Sequence, residues 1–325
     1  MYIIKRIGFY LSIFWAALTL NFFLPRMMPG NAASAIMARA QGQMNPQAIH
    51  ALELAFGVNT GQSLWQQYWG YLGNTLTGHF GVSFTYFPEP VVQVIGATLP
   101  WTLFLIGFST IVSFVVGTGL GIFAAWRRGT ALADAVPVGF TLIASMPYFW
   151  IALALLYVFG FTLGWFPIAH SFNVNQTLGF NLSSLGSIFY YATLPILSIV
   201  VTSLGGWTLG MRNNLVSILS EDYITLGQMK GLPEREIMMN YGARNAMLPQ
   251  VTSFAMSLGF VVGGAILTEI VFSYPGIGYA LYQAVTNSDY PLMQAIFLII
   301  VSAVLIANLI VDIFYSRLDP RVGES

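Results

Sequence analysis

The sequence predicts an all-α membrane protein that crosses the bilayer six times. Of its 325 residues, 56% are hydrophobic and only 7% are charged, roughly a third of the charged share of a soluble domain. The charged side chains are concentrated in short stretches, and uncharged apolar runs separate them. Six of these runs are long enough to cross the hydrocarbon core of a bilayer, which takes about 17 to 25 helical residues.

Composition also limits the chemistry of the chain. The formal net charge is zero, so no basic field exists to attract phosphates and we expect no nucleic-acid partner. The absence of cysteine excludes disulfides, thiolate metal sites and cysteine nucleophiles. The histidines, His50, His79 and His170, do not have the spacing of metal ligands. We therefore expect neither a metal site nor catalytic residues.

The first span is predicted at Ile7–Leu24, directly after Lys5 and Arg6. A secretory signal peptide is the alternative interpretation of such a segment. The run is long for a signal peptide and further spans follow it, which favours an uncleaved helix. Residues 1–29 are therefore assigned to an N-terminal tail and the first transmembrane helix.

Residues 30–98 are predicted to form a small extracytoplasmic domain, because they are polar enough to lie outside the lipid. Within them, Asn45-Pro46 and Gly57 are the start and stop signals of a short helix. A second helix carries aromatic residues that suit a membrane interface or packing against the spans. These residues are Trp65, Tyr68, Trp69 and Tyr71.

Residues 99–325 are predicted to form a five-helix transmembrane core. Its spans are Trp101–Trp126, Ala135–Phe161, Ser187–Met211, Val251–Thr268 and Pro291–Val311. The third span contains Pro147, which is tolerated in a membrane helix where neighbours satisfy the freed carbonyl. A polar loop, residues 213–250, separates the fourth and fifth spans, whereas Gly164–Leu185 and Phe272–Tyr290 are predicted as loops on the opposite side.

Six spans place both termini on the same side of the membrane, and the basic residues indicate which side it is. Of the 12 lysines and arginines, only Arg26 and Arg39 fall on the side opposite the termini. The other ten are Lys5, Arg6, Arg127, Arg128, Arg212, Lys230, Arg235, Arg244, Arg317 and Arg321. The positive-inside rule therefore predicts that both termini and the polar loop are cytoplasmic.

The chain lacks the means to drive transport by itself. Its only lysines, Lys5 and Lys230, do not follow a glycine, so no phosphate-binding loop exists. Proton-coupled carriers need an ionisable group inside the membrane, and Glu269, at the end of the fifth span, is the one candidate. An acid at the outer interface, or one paired with a polar neighbour, is the simpler interpretation of Glu269. We therefore expect no enzyme activity and an energy source on partner subunits.

The polar stretch Glu221–Gln250 is where such a partner is predicted to attach. Pro233 fits the first turn of a helix, where its missing N–H is not needed, and Glu234 and Glu236 then lie near the positive end of the helix dipole. Pro249 is expected to end the segment. The side chains expected to fill and rim a groove on the partner are Leu232, Ile237, Met238, Met239, Tyr241, Glu234, Arg235 and Glu236. The residues alone leave a second interpretation open, a polar loop that folds against its own spans.

This stretch resembles the cytoplasmic coupling loop, the EAA loop, of ATP-binding-cassette (ABC) importer permeases, and more narrowly the first permease of the dipeptide/oligopeptide/nickel group. The matching residues in the loop are Asp222-Tyr223, Lys230-Gly231-Leu232, Glu234-Arg235-Glu236, Arg244-Asn245-Ala246 and Leu248-Pro249. Matches elsewhere include Pro29-Gly30, Gly81-Val82-Ser83, Pro147-Tyr148-Phe149-Trp150, Tyr274-Pro275-Gly276-Ile277-Gly278 and Leu318-Asp319-Pro320-Arg321. The acidic-Ala-Ala part of the motif is replaced by Thr225-Leu226-Gly227.

The resemblance implies a type I importer fold and a pore-forming permease subunit that passes di- or oligopeptides delivered by an extracytoplasmic binding protein. It implies a multi-pass protein of the bacterial cytoplasmic membrane whose partners are a homologous second permease and two ABC ATPase subunits. ATP and Mg²⁺ bind to those ATPase subunits, so we expect no cofactor on this chain. Oligosaccharides or nickel chelates are alternative substrates, and a stand-alone channel or secondary carrier is the alternative from another class.

The resemblance also implies two groups of functional residues. Those expected to couple to the ATPases are Asp222, Gly227, Lys230, Gly231, Leu232, Pro233, Glu234, Arg235, Glu236, Met239, Tyr241, Arg244 and Pro249. Those expected to line the pore or contact the binding protein are Gly263, Gly264, Glu269, Tyr274, Pro275 and Gly276. Small residues at Gly227 and Gly231 are expected to allow close approach of a neighbouring element. Gly263-Gly264 is expected to do the same for a neighbouring span.

Overall fold

The computed structural model describes residues 2–27, 63–173, 175, 179, 181–261 and 265–318. Within these ranges the regular elements are helices, accompanied by one isolated β-bridge between Val82 and Pro90. The all-α prediction is therefore confirmed for this part of the chain. The predicted helix between Asn45-Pro46 and Gly57 and the predicted close approach at Gly263-Gly264 lie outside the described residues.

Most of the described chain is helical. The α-helices are α1 (Tyr2–Met27), α2 (Leu64–Leu76), α3 (Val91–Trp126), α4 (Ala131–Ala144), α5 (Tyr148–Leu155), α6 (Leu182–Ile218), α7 (Asp222–Met229), α8 (Glu234–Glu236), α9 (Arg244–Gly259), α10 (Ile266–Val271), α11 (Ile277–Thr286) and α12 (Tyr290–Leu318). Two π-helical segments accompany them. Leu156–Thr162 continues α5, and Ile237–Ala243 joins α8 to α9.

Among the described residues, four helices are long and apolar enough to cross a bilayer. The stretches that qualify are Arg6–Leu24 in α1, Val91–Trp126 in α3, Leu182–Ile218 in α6 and Tyr290–Ile310 in α12. Counting the bent pair of α4 and α5 as one span raises the number to five. The first, second, fourth and sixth predicted spans thus each coincide with a single helix. The chain is a multi-pass helical membrane protein.

The predicted third span, Ala135–Phe161, consists of two helices and not one. α4 ends at Ala144 and α5 begins at Tyr148, with a bend of 94° between them. Pro147 causes the break, because it has no N–H to continue the hydrogen bonds of α4 and its backbone is extended (φ −55°, ψ 127°). Its carbonyl then accepts a hydrogen bond from the N–H of Trp150 (2.9 Å), which begins the new helix.

The predicted fifth span, Val251–Thr268, is not one continuous helix in the described residues. α9 ends at Gly259, and α10 is a separate short helix. α9 also begins before the predicted end of the polar loop and runs through Pro249, so the prediction that this proline ends the segment is wrong. Proline removes only one backbone hydrogen bond from a helix, and the buried residues Ala246 and Gln250 hold this turn of α9 against the protein.

The described chain divides into two compact units. The first unit comprises Met1–Thr102, Val262–Ile266 and Pro275–Ser325. Its core joins the beginnings of α3, α11 and α12, through buried side chains that include Val91, Ile277 and Leu292. α1 packs along α12, where Arg6 forms an ion pair with Asp312 at 2.7 Å.

Asp289 organises the short connection between α11 and α12 in the first unit, and α11 itself lies within the stretch predicted as a loop, Phe272–Tyr290. The residue is completely buried, and its side chain caps α12 by accepting a hydrogen bond from the N–H of Leu292 (3.2 Å). Its other carboxylate oxygen accepts hydrogen bonds from the Ser83 hydroxyl and from the N–H of Thr85 (2.8 Å). One carboxylate therefore holds the segment before α3 to the start of α12.

The second unit comprises Leu103–Val261 and Leu267–Tyr274. Glycines bring its helices close together. A Cβ atom added at Gly121 of α3 would lie 2.6 Å from the Cβ of Met211 in α6, and Gly117 is in equally tight contact one turn earlier. At Gly205 of α6 an added Cβ atom would lie 2.7 Å from the carbonyl oxygen of Phe140 in α4. α6 is thus packed tightly against both α3 and α4.

Candidate functional site

The polar segment Glu221–Gln250 follows the end of α6 in the second unit. α6 continues beyond Met211, the predicted end of the fourth span, as far as Ile218. Near this end, Arg212 donates a hydrogen bond from Nη2 to Oδ1 of Asp134 in the first turn of α4 (3.2 Å). Both side chains are partly exposed, so the ion pair contributes at most about 1 kcal/mol. It nevertheless joins the ends of two helices next to the segment.

Gly231 terminates α7 in a left-handed backbone conformation. Its φ angle is +72°, and open space surrounds the place where a Cβ atom would lie. The N–H of Leu232 donates to the carbonyl of Gly227 (3.2 Å), and the N–H of Gly231 donates to the carbonyl of Gln228 (2.9 Å). These two bonds form a Schellman cap, which favours glycine at this position. Gly231 therefore serves the backbone turn, and no other described part of this chain approaches it closely.

Gly227 lies on the inner face of α7. A Cβ atom there would lie 3.6 Å from Cδ1 of Leu232 and 3.7 Å from Cγ1 of Ile237. Ile224, one turn earlier on the same helix, is also buried. The inner face of α7 therefore packs towards the π-helical segment, at ordinary van der Waals distances that leave room for an alanine at Gly227.

The π-helical segment turns two apolar side chains inward. Ile237 and Met238 are both buried, and Met238 belongs to a core that includes Ala125 of α3 and Leu215 of α6. The sequence pattern predicts Ile237 and Met238 on the surface that meets a partner, and this prediction is wrong. The ends of α3 and α6 present an apolar surface beside the segment, and burial there removes both side chains from water.

Gly242 allows the same segment to lie against α6. A Cβ atom added at Gly242 would lie 2.9 Å from Cδ1 of Leu215 and 3.4 Å from Cδ2 of Leu219, so a larger residue would require these leucine side chains to shift. Gly242 is not among the residues that the sequence motif predicts for the coupling group. Its signal in the sequence is an isolated glycine within a helical pattern, which often marks a close contact.

Glu234 provides a second connection, to the end of α3. Its Oε1 accepts a hydrogen bond from the indole N–H of Trp126, the last residue of α3 (3.0 Å). The sequence predicts Glu234 at the rim of a groove on a partner. It predicts no role for Trp126 other than as the last residue of the second span. In the structure at least one oxygen of the Glu234 carboxylate is used within the chain.

The polar segment also exposes apolar side chains. These are Tyr223, Leu226, Met229, Met239, Tyr241 and Leu248, which we call the outward surface. Met229 is 81% exposed, the highest value among these six side chains. Asn245 donates hydrogen bonds to the Tyr223 hydroxyl (3.1 Å) and the Tyr241 backbone carbonyl (2.9 Å), so it connects α7 to the π-helical segment. Exposed aromatic residues and methionines are enriched at protein–protein interfaces.

Charged residues of the predicted coupling group accompany this surface. Asp222, Lys230, Arg235 and Arg244 are exposed, whereas Glu236 and Leu232 are half-buried. Pro233 precedes α8 with φ −65° and ψ 142°, in agreement with its predicted place at a helix start. The segment therefore presents apolar side chains with cations and anions beside them, on a base that is fixed to α3 and α6.

A cavity of about 310 Å³ lies between the end of α3 and the polar segment. Its apolar lining consists of Ala125, Leu219, Leu232, Ile237 and Met238. Its polar lining consists of Trp126, Arg128, Gln228 and Glu234. The inner face of the segment is therefore not packed completely against α3.

The second predicted group of site residues is placed differently. Glu269 and Tyr274 are completely buried, and the N–H of Tyr274 donates to the carbonyl of Glu269 (2.8 Å). Burial raises the pKa of Tyr274, and the nearby Glu269 carboxylate raises it further. Gly276 is buried and Pro275 half-buried. In this structure Glu269 and Tyr274 are packing residues, and neither presents a surface to a binding protein.

The fold and the site together define a class of protein, a multi-pass helical membrane protein with an exposed apolar surface on the segment that follows its fourth predicted span. Within this class, the chain belongs to the family of binding-protein-dependent transport system inner membrane components, whose sequence model matches residues 117–324. That match covers more than half of the chain, including the whole polar segment. The family predicted from the loop motif is confirmed.

Curated relatives are similar to this chain from end to end. The dipeptide transport system permease protein DppB of Lactococcus lactis is 31% identical over 323 residues. The oligopeptide transport system permease protein AppB of Bacillus subtilis is 30% identical over 321 residues. The glutathione transport system permease protein GsiC of Escherichia coli K12 is 30% identical over 322 residues. Each alignment covers 99% of this chain and 98% of the relative.

Proposed function

We propose that this chain is the pore-forming permease subunit of an ATP-driven importer of di- or oligopeptides. The observation that carries the proposal is its similarity, over almost the full length of both chains, to permeases named for oligopeptides, dipeptides and glutathione. These substrates are all amino acids joined by amide bonds. A short peptide is therefore the substrate class that the relatives have in common.

The proposed partners are a homologous second permease, two ABC ATPase subunits and an extracytoplasmic binding protein. The family description itself refers to a binding protein. ATP and Mg²⁺ bind on the ATPase subunits, and this chain holds no cofactor. The outward surface supports attachment of an ATPase, because Met229 and Met239 expose flexible apolar side chains that gain from cover by a partner.

The proposed topology has six spans, with the bent pair of α4 and α5 as the third and with α9 and α10 together as the fifth. The termini and the polar segment then lie in the cytoplasm, on the side that carries most of the basic residues. Residues 30–98 lie outside and are the proposed docking region for the binding protein. This arrangement fits an importer of the cytoplasmic membrane.

Two contacts support a route from the ATPases to the spans. Gly242 brings the π-helical segment against Leu215 of α6, and Glu234 is joined to α3 through Trp126. α6 is a single helix of 37 residues, so a displacement at its Ile218 end moves a whole span. ATP-driven closure of the ATPases thereby shifts the pore between an outward-facing and an inward-facing state.

Substitution of the outward surface tests the proposed coupling. Met229→Asp combined with Met239→Asp places two carboxylates on the proposed ATPase contact, and both positions are exposed, so neither change removes a buried side chain. In cells that depend on this importer for peptides, we expect uptake of a labelled dipeptide to fall at least tenfold at an unchanged amount of membrane protein. Ser220→Asp, at an exposed position outside the outward surface, is the matched control. Undiminished uptake by the double variant contradicts the proposal.

Competition during uptake tests the proposed substrate class. Excess unlabelled tripeptide is expected to suppress uptake of the labelled dipeptide, whereas excess maltotriose or a nickel chelate leaves it unchanged. Suppression by the sugar or the chelate, but not by the tripeptide, contradicts the assignment to peptides.

A further inference from the structure

We propose that the cavity of about 310 Å³ between the end of α3 and the polar segment is a binding site for a small zwitterion. The ligand class is a molecule with an ammonium group, a carboxylate or phosphate group and an apolar body. The proposal depends only on the lining of the cavity and not on which substrate the importer carries.

Arg128 is the group that binds the anionic end. It lines the cavity and is exposed, and it forms no ion pair within the described part of the chain. A guanidinium group matches the geometry of a carboxylate or phosphate and donates two parallel hydrogen bonds to it. Arg127, the preceding residue, is also exposed but does not line the cavity, so the chain contains its own control for a non-specific effect of positive charge.

Glu234 and Trp126 bind the ammonium end. The Glu234 carboxylate accepts one hydrogen bond, from the Trp126 indole N–H, and its two oxygens can accept further ones. An ammonium group at this carboxylate forms a charge-assisted hydrogen bond. The indole of Trp126, which also lines the cavity, attracts a cation through its π face. Because both a cation and an anion line the cavity, it selects a ligand that carries both charges.

The rest of the lining limits the size of the ligand's body and includes apolar side chains that can contact it. Ala125 and Leu219 come from the ends of α3 and α6, and Ile237 and Met238 come from the π-helical segment. Ligand pockets in proteins are largely apolar, with a few polar groups that fix the orientation of the ligand. Their volumes start at about 300 Å³. The cavity therefore suits an amino acid, a dipeptide or a lipid headgroup, and it is too small for a long peptide.

A ligand in this position joins two elements. It contacts Trp126 at the end of α3 and Arg128 in the turn that follows. On the other side it contacts the polar segment through Glu234 and Gln228. Occupancy therefore strengthens the connection between the segment and α3 and makes their separation less favourable. Two sources supply such a ligand: free amino acids or short peptides, and the headgroup of phosphatidylethanolamine in the bilayer.

Binding to the purified full-length chain in dodecyl maltoside tests the proposal. One arm titrates alanyl-leucine and its blocked forms, N-acetyl-alanyl-leucine and alanyl-leucinamide. The other arm titrates dihexanoyl phosphatidylethanolamine and dihexanoyl phosphatidylglycerol. Calorimetry is expected to show binding of alanyl-leucine, of the ethanolamine lipid or of both, each at least tenfold tighter than its analogues that lack one of the two charges.

Variants then locate the site. Arg128→Gln is expected to weaken that binding at least tenfold, whereas Arg127→Gln changes it less than twofold, and the unchanged circular dichroism of both variants shows that they fold. The arm that binds identifies the source of the ligand. Absence of binding in both arms overturns the proposal. So does an equal loss in the two arginine variants, or equal affinity for the charged and blocked probes.

Discussion

Two polar regions interrupt the apolar runs of this chain, and they have opposite characters. In the loop before α12, Asp289 is completely buried and accepts three hydrogen bonds from Ser83, Thr85 and Leu292. In the segment Glu221–Gln250, most charged side chains are exposed, and so are several large apolar ones. The first region satisfies its polar groups within the chain, whereas the second leaves apolar surface uncovered.

This difference separates a structural role from an interaction role. A buried carboxylate with all its hydrogen bonds made fixes a backbone arrangement and leaves little for a partner to bind. Apolar residues such as Met229 and Tyr241 are exposed on a fixed base. When a partner covers them, the burial of their apolar surface lowers the free energy and favours binding. Polar residues between two spans therefore do not by themselves indicate a partner, because the pattern of burial decides between the two roles.

The largest expected effect is that of Asp289→Ala. The substitution leaves the Ser83 hydroxyl and the N–H groups of Thr85 and Leu292 without their acceptor. A hydrogen bond to a charged group contributes about 1.5–3 kcal/mol, and a buried donor left without an acceptor costs about 1–3 kcal/mol. We expect the free energy of unfolding, measured by denaturant titration in detergent, to fall by about 3 kcal/mol or more.

Asp289→Asn provides the comparison for this result. The amide keeps one acceptor oxygen of similar size, so we expect it to lose clearly less stability than the alanine variant. If the free energy of unfolding of both variants lies within about 0.5 kcal/mol of the wild-type value, which is the range of ordinary surface substitutions, the structural role assigned to Asp289 is wrong.

A smaller effect is expected at the cap of α7. Gly231→Ala places a Cβ atom on a residue with φ of +72°, which costs about 1–2 kcal/mol. Gly227→Ala is the matched control on the same helix, because its Cβ atom meets Leu232 only at an ordinary contact distance of 3.6 Å. Thermal unfolding is expected to show a loss at Gly231 and no loss at Gly227. The reverse order contradicts the assignment of the Schellman cap.

The smallest effect on stability is expected for Trp126→Phe. It removes one partly exposed hydrogen bond to Glu234, which contributes about 0.5–1.5 kcal/mol, and keeps an aromatic ring. We nevertheless expect the number of ATP molecules hydrolysed per peptide imported to rise in the reconstituted importer, because the segment then moves less tightly with α3. An unchanged ratio shows that this bond does not transmit the movement.

Hydropathy was sufficient to locate the spans that are single helices. Lipid requires every backbone hydrogen bond to be made within the helix, so a long uncharged run has few alternatives. The break at Pro147 could not be predicted in this way, because a membrane proline is tolerated or not according to the neighbours that satisfy the freed carbonyl. The prediction at Pro249 was wrong for the same reason, because the sequence does not show which neighbours allow α9 to continue through this proline.

The orientation of side chains in the polar segment was harder to predict than its existence. The motif around Lys230-Gly231-Leu232 located the segment, but the inward position of Ile237 and Met238 depends on a π-helical turn. Such a turn shifts the register of all later side chains, and the ordinary helical period does not reveal it. Trp126 was missed because its partner, Glu234, is 108 residues away in sequence.

Single-cysteine cross-linking tests most directly the claim that the outward surface contacts the ATPase. The chain contains no cysteine, so Met229→Cys and Ile237→Cys each introduce one thiol, the first on the outward surface and the second on the buried inner face. In the assembled importer, a short bifunctional maleimide is expected to join Met229→Cys to an engineered surface cysteine of the ATPase and to leave Ile237→Cys unlinked. Equal cross-linking of both positions, or linkage of Ile237→Cys alone, contradicts the account.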